Sequence, residues 1–309
     1  MVMVMGQGMD RWDLWWSYNA GVSGPEAWGG FNLQWKLCGI GKRQSPIDII
    51  PEDLLYDSNL KRISLDKHKV QGVLKNTGHD LTVEIPSSTH DVTLSDGPLG
   101  YSYTVYKIVI HFGSKDTQGS EHRIEGKAFP AEVQIVAYNN DLYPNSTSAA
   151  DAHAGLAILS LMIGLNESSM TNLGDIIESA SSVQYKGESK SLVKFSVHDL
   201  LPDTHNYMTY EGSVTRPGCL EIVTWIIMNK PVYITPEQLG LLRQTVNTEK
   251  DSSVKSPLYD NYRPVQSVNR RAVRTNINFP QQKSTACDFK MEKSYTGNPQ
   301  ILEALNPIL

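Results

Sequence analysis

The sequence predicts an α+β fold that is predominantly β. Three observations carry that prediction. Residues 107–138 hold two short runs rich in Val, Ile and aromatics, flanking a polar connection that contains glycine. This is the pattern of a hairpin with a long loop. Further strand-like runs follow one another between turn signals, at 70–76 before Thr77-Gly78 and at 80–85 before Pro86-Ser87-Ser88. Residues 221–229 are strongly apolar and β-rich, and 231–235 continue them toward a turn. The best-marked helix is short and late. Thr235 can cap it, Pro236 suits its first position, and Gln238 completes a capping box. Leu239, Leu242 and Val246 then fall on one face of that helix.

Other segments are less distinct. Residues 10–30 carry Trp12, Trp15, Trp16 and Trp28 without a clean period, and read as a loop-rich arm packed on the body. Residues 151–164 read as a buried strand or short helix. Residues 168–182 have helical spacing at Leu173, Ile176 and Ile177, and 192–201 are ambiguous. The stretch after Pro280 is polar at first and reads as extended or disordered, with a short helix at 301–305.

Strand side chains alternate between faces. Lys107, Val109 and His111 therefore share one face of the first run, and Ile108, Ile110 and Phe112 the other. In the second run Glu132, Gln134 and Val136 share a face. Where the two faces coincide, Val109, His111 and Gln134 converge on one spot with a single histidine among them.

The chain has 309 residues, 40% hydrophobic, with a net charge of -5. Large sheet domains run to ~250 residues, and no linker divides this one. The modest charge does not point to nucleic acid or an anionic membrane surface. Arg270, Arg271 and Arg274 form the one basic cluster noted, read as a solvated strand end. Residues 155–165 are too short to span a bilayer, which takes ~20 residues. The N-terminal residues lack a basic n-region, which taken alone favours the cytoplasm. Asn145-Ser146-Thr147 and Asn166-Glu167-Ser168 are glycosylation sequons, and the three cysteines are Cys38, Cys219 and Cys287.

Residues 113–122, GSKDTQGSEH, followed by 131–139, AEVQIVAYN, resemble the α-class carbonic anhydrases. Residues 43–48 (RQSPID) and Asn261-Tyr262-Arg263-Pro264-Val265-Gln266 match two further motifs of that family. The resemblance covers residues 16–279, with 1–15 as an N-terminal extension and 280–309 as a polar tail. It implies one domain on a large central, mostly antiparallel twisted sheet with short peripheral helices. In the family, two histidines on the first strand and one on the second hold zinc. Here those positions are Val109, His111 and Gln134, so two of three ligands are missing. The chain is therefore similar to the catalytically silent carbonic anhydrase-related proteins, and to the X/XI branch best.

The resemblance assigns further places. Thr215 matches the threonine that accepts a hydrogen bond from zinc hydroxide, and Glu121 its carboxylate partner. His79 matches the proton-shuttling histidine, against an ordinary surface histidine as the plainer reading. Tyr18 matches a cavity-lining tyrosine. Val136, Ile158, Val214 and Trp225 match the apolar wall where CO₂ binds, or are plain core. Arg216 stands where a small or hydroxylated residue is usual, placing positive charge and bulk at the mouth, with Lys107 adding more. Glu132 is expected to hydrogen-bond the amide of Gln134, and His122 to be structural. Cys38 and Cys219 match the family's extracellular disulfide. Closing that loop would stabilise by about 4–5 kcal/mol at most.

Catalytic zinc takes three protein ligands and an open position for water, carbonic anhydrase being the standard example. Val109 offers no lone pair and Gln134 only an amide oxygen, a poor zinc ligand. The expectation is no zinc cofactor, no catalytic residues and a neutral, hydrogen-bonded His111. The resemblance implies a secreted protein, its signal segment not visible, that binds a cell-surface protein of the neurexin type. Cys287 would be free for a disulfide with that partner. The alternatives are a zinc enzyme with residual CO₂ hydration or esterase activity, and an emptied cavity that takes a small anion.

Overall fold

The computed structural model describes residues 15–87, 91–169 and 172–278. The sequence expectations for 1–14 and 279–309, Cys287 included, lie outside them. Fifteen strands run in chain order. The first six are β1 (Asp48–Ile49), β2 (Leu55–Tyr56), β3 (Ile63–Leu65), β4 (Lys69–Asn76), β5 (Leu81–Glu84) and β6 (Thr93–Asp96). Then come β7 (Tyr103–Phe112), β8 (Arg123–Ile124), β9 (Ala131–Asn139), β10 (Leu156–Leu165) and β11 (Ser189–Ser196). The last are β12 (Tyr207–Gly212), β13 (Val223–Met228), β14 (Val232–Ile234) and β15 (Arg274–Thr275). Thirteen of them form one sheet, whose main path is β11-β4-β5-β7-β9-β10-β13-β12-β15-β2. Most pairings are antiparallel; β10 runs parallel to β13 and β14.

The central strands are apolar on both faces because both faces are covered, the usual reason for a near-continuous hydrophobic run. On β9, Val133, Ile135 and Ala137 enter one core while Val136 and Tyr138 enter the other. On β10, Leu159 and Leu161 join the first core, and Leu156 and Ile158 the second. Within residues 151–164, which read as a buried strand or short helix, the structure places strand from Leu156 onward. The helices are short and peripheral. Pro236–Arg243 has its capping box, with the Thr235 hydroxyl accepting from Gln238 N–H and the Gln238 side chain accepting from Thr235 N–H. Leu239 and Leu242 are buried from it. Val246 lies past its end, in a bridge to Pro257, so the predicted three-residue face is one residue too long.

A third, smaller cluster joins Trp16, Tyr18, Trp28, Phe31 and Trp35 to the Cys38–Cys219 disulfide. This is the expected arm, packed over one side of the sheet. Arg263 ties it to the body. Its guanidinium donates to Gln44 Oε1 (2.9 Å), Ser45 O (2.8 Å) and Cys38 O (3.2 Å). Two motifs distant in sequence are thereby one structural unit. The arginine cluster near the C-terminus is used internally. Arg271 donates to the carbonyls of Gln44, Ser267, Val268 and Glu211, and Arg274 pairs with Asp57 at 2.9 Å.

The bridge spans 181 positions of sequence. Replacing Cys38 and Cys219 together by Ser is expected to lower stability by about 2–5 kcal/mol. Thermal unfolding should show the same loss when the native chain is reduced. Unchanged melting would show that the arm holds without the bridge.

Candidate functional site

The register sets the site. Val109 lies opposite Gln134, His111 opposite Glu132, and Lys107 opposite Val136. Their shared face is the one read from alternation. One irregularity was not legible. Strict alternation puts Tyr106 on the far face, but a bulge between Val105 and Lys107 shifts the phase. Val105 then enters the first core, while Tyr106 packs beside Tyr138 on the site's side. A bulge re-aims side chains in this way, and nothing in the local composition announced it.

His111 is buried, and its Nδ1 lies 2.6 Å from the carbonyl of Asn261. The carbonyl accepts the Nδ1 hydrogen, which leaves Nε2 as the nitrogen turned to the site. Nε2 has no hydrogen-bond partner and is closed to solvent; Glu121 Oε2 is 3.7 Å away. Asn261 also accepts from Phe112 N–H and donates to Ile110 O. It was recognised in the sequence as part of a motif, but not as the residue that orients His111.

The Gln134 amide does not face His111 as a ligand. Its Nε2 donates to Glu121 Oε2 (2.8 Å) and to Glu132 Oε1 (3.1 Å), both carboxylates being buried. The other oxygen of Glu121 accepts from Arg263 N–H at 2.9 Å. None of the hydrogen bonds of Glu121 among the described residues goes to Thr215, which is buried nearby. Glu132 also accepts from Ser160 Oγ (2.8 Å), His122 N–H (2.8 Å) and the His122 ring (3.0 Å). His122 reaches Tyr210 on its other nitrogen (2.7 Å) and is structural, as expected. Burial alone would push Glu132 up; the His122 ring and its two hydrogen bonds outweigh it and hold the carboxyl at about 2.

Close enough to His111 to feel its charge is an ion pair between Arg216 and Asp80. Arg216 Nη2 lies 2.6 Å from Asp80 Oδ2, and the Asp80 carboxyl is wholly buried. The contact is electrostatic rather than a well-directed hydrogen bond. Asp80 Oδ1 accepts from Thr82 Oγ1 (2.6 Å) and Thr77 Oγ1 (3.0 Å). Burial would raise Asp80, but Arg216 and Thr82 outweigh it and its carboxyl is held down. The Arg216 charge is thus spent on Asp80 rather than offered at an open mouth. Lys107 adds less charge than expected, because burial, helped by Arg216, pushes it down to about 7. Asp80 was passed over in the sequence. It directly precedes β5, in phase with Thr82 and Glu84, which lie opposite Val109 and Lys107, and only its long-range partner Arg216 gives it significance.

Tyr18 stands edge-on to His111, ring centres 6.2 Å apart, and burial raises its hydroxyl well above the usual phenol range. His79 is not an ordinary surface histidine. It stacks on Trp16 at 3.9 Å, and burial lowers it to about 4. Val136, Ile158 and Trp225 form one apolar cluster with Val109, and Val214 packs on it. Sequons Asn145 and Asn166 are both exposed.

This sheet and this constellation define a carbonic anhydrase-type domain. Residues 23–277 match the family described as eukaryotic-type carbonic anhydrase, and the chain belongs to it. It is 38% identical over 288 residues to a Caenorhabditis elegans protein named "Putative carbonic anhydrase-like protein 2", covering 90% of this chain and 86% of that one. It is 34% identical over 328 residues to "Putative carbonic anhydrase-like protein 1" of the same organism, covering 85% and 90%. No helix among the described residues is long and apolar enough to cross a membrane.

The family's zinc does not fit the residues present. One imidazole nitrogen remains, Val109 is aliphatic, and the Gln134 amide is committed to two carboxylates. Among the described residues no group of three His, Cys, Asp or Glu side chains is arranged to hold a metal ion.

Two acid-sensitive steps follow from the buried groups. His79 titrates lower folded than unfolded, so its contribution is present above about 6.5 and lost as pH falls toward 4. Glu132 does the same between about 4.5 and 2. His79→Phe, which keeps the stack on Trp16, is expected to flatten stability between pH 6.5 and 4, and Glu132→Gln to flatten it below 4.5. Unchanged denaturation midpoints across the pH series would show that neither group is coupled to folding.

Proposed function

We propose that this chain is a secreted, non-catalytic carbonic anhydrase-related protein that acts by binding a cell-surface protein. One observation carries the reading: the side chain at the third ligand position gives its donor hydrogens to Glu121 and Glu132. A group arranged as a donor to two carboxylates has no lone pair on that nitrogen for a metal. The Arg216–Asp80 ion pair agrees with it, since it sets a fixed cation in the same region. Zinc is absent on this reading, and so is CO₂ hydration, because metal-activated hydroxide is the nucleophile of that reaction.

Secretion is supported by the Cys38–Cys219 bridge, since such bridges persist in oxidising compartments. The exposed sequons agree. The resemblance to the X/XI branch suggests a neurexin-type partner at neuronal surfaces, with Cys287 as the thiol that could link to it.

Metal analysis of purified protein together with a CO₂ hydration assay tests the reading. Substoichiometric zinc and a rate at the buffer level are expected; stoichiometric zinc with activity would overturn it. The double variant Val109→His with Gln134→His is expected to gain zinc, with at most weak activity because Arg216 still sets a fixed cation in the same region. If Cys287→Ser leaves complex formation with the partner and its sensitivity to reductant unchanged, the disulfide link is wrong.

A further inference from the structure

A cleft of about 610 Å³ lies away from the vestigial site, against the other core. That volume is within the range of about 300–1,000 Å³ typical of ligand clefts. One wall is the short strand β3 with its flanks, from Arg62 to Lys67; the other is the segment from His198 to His205. Leu65, Leu201 and Met228 give it an apolar floor.

Among the described residues β3 pairs with β6 alone, and no β6 residue lines the cleft. In an antiparallel ladder, alternate residues exchange hydrogen bonds with the partner strand. Asp66 N–H reaches Thr93 O at 3.0 Å, which places Ser64 in the bonded set opposite Ser95. The N–H and C=O groups of Ile63 and Leu65 then point away from β6. They form an open strand edge beside the cleft.

The edge is strongly basic. Lys61, Arg62, Lys67 and Lys69 are all exposed, and the acidic residue between them, Asp66, accepts from Thr93 N–H at 2.9 Å. Basic side chains on an edge discourage pairing with a second copy of the same edge, where like charges would meet. The same charges favour a strand of opposite sign. On the facing wall Asp199 meets His198 at 3.6 Å and Asn172 at 3.4 Å, and Asp203 is exposed; the four basic side chains of the edge still outnumber these carboxylates.

We propose that this cleft binds an extended acidic segment of a partner protein, which adds a strand to the free edge of β3 and sets carboxylates against Arg62 and Lys67. Strand addition supplies main-chain hydrogen bonds, and the apolar floor takes alternate side chains. The proposal rests on the protein-binding reading and gives it an interface. It uses none of the residues around His111. Loss of peptide binding therefore leaves zinc content unchanged, and discovery of zinc leaves the cleft intact, so the two readings fail separately.

The probe is a fluorescein-labelled heptapeptide alternating glutamate with valine and isoleucine, followed by anisotropy with the full chain. Saturable binding is expected, weakened at least 10-fold by Arg62→Glu with Lys67→Glu. Both positions are exposed, so folding should be retained and can be checked by melting. The same peptide N-methylated at alternate residues cannot pair as a strand, and it should lose binding to the same degree. Amide exchange at Ile63 and Leu65 should slow on binding. No binding, equal binding of the N-methylated peptide, or equal binding by the charge-reversed variant would each overturn the proposal.

Discussion

Two buried carboxylates lie side by side at the centre of this protein, and a neutral amide holds them there. Glu121 and Glu132 would repel each other if left unpaired in a low-dielectric interior, since a buried charge is tolerated only when hydrogen-bonded or paired. The Gln134 NH₂ group donates one hydrogen to each. The remaining lone pairs are met by Arg263 N–H, Ser160, and His122 through both its backbone and its ring. In a metal-binding relative an imidazole at the third position presents a lone pair to the ion. A glutamine presents hydrogens to carboxylates instead. The third position thus carries a donor to two carboxylates where the family has a lone pair.

The rest of the cavity is consistent with that change. Arg216 is a fixed cation beside the former metal position, and it has its own counter-ion in Asp80. Trp16, stacked on His79, and Tyr18, edge-on to His111, lay the N-terminal arm across the same region. The disulfide and Arg263 hold that arm in place. The family's scaffold is thus kept around a centre in which two of the three histidine positions carry Val109 and Gln134.

Much of the fold was legible. Apolar β-rich runs between turn signals located β4, β5, β7, β9 and β13, and the capping box the helix at Pro236, while β12 went unread and the region of β11 is ambiguous in sequence. The face shared by Val109, His111 and Gln134 followed from alternation and was matched by the register. What was not legible had physical causes. The bulge that turns Tyr106 inward comes from pairing between distant strands, not from local sequence. Asp80 was hidden because its significance depends on a long-range partner, Arg216. The helix end short of Val246 was missed because the hydrophobic spacing continues one turn past it. The basic edge at 61–69 drew no notice because its residues are scattered among apolar ones; only the pairing of β3 on one side makes them a wall.

The most direct measurement is anomalous diffraction at the zinc edge, from crystals of the native chain equilibrated with excess Zn²⁺. No anomalous peak is expected within bonding distance of His111 Nε2, and the Gln134 amide nitrogen should still bridge Glu121 and Glu132. A peak at about 2 Å from His111 Nε2, with the Gln134 oxygen turned toward it, would contradict the reading at its centre.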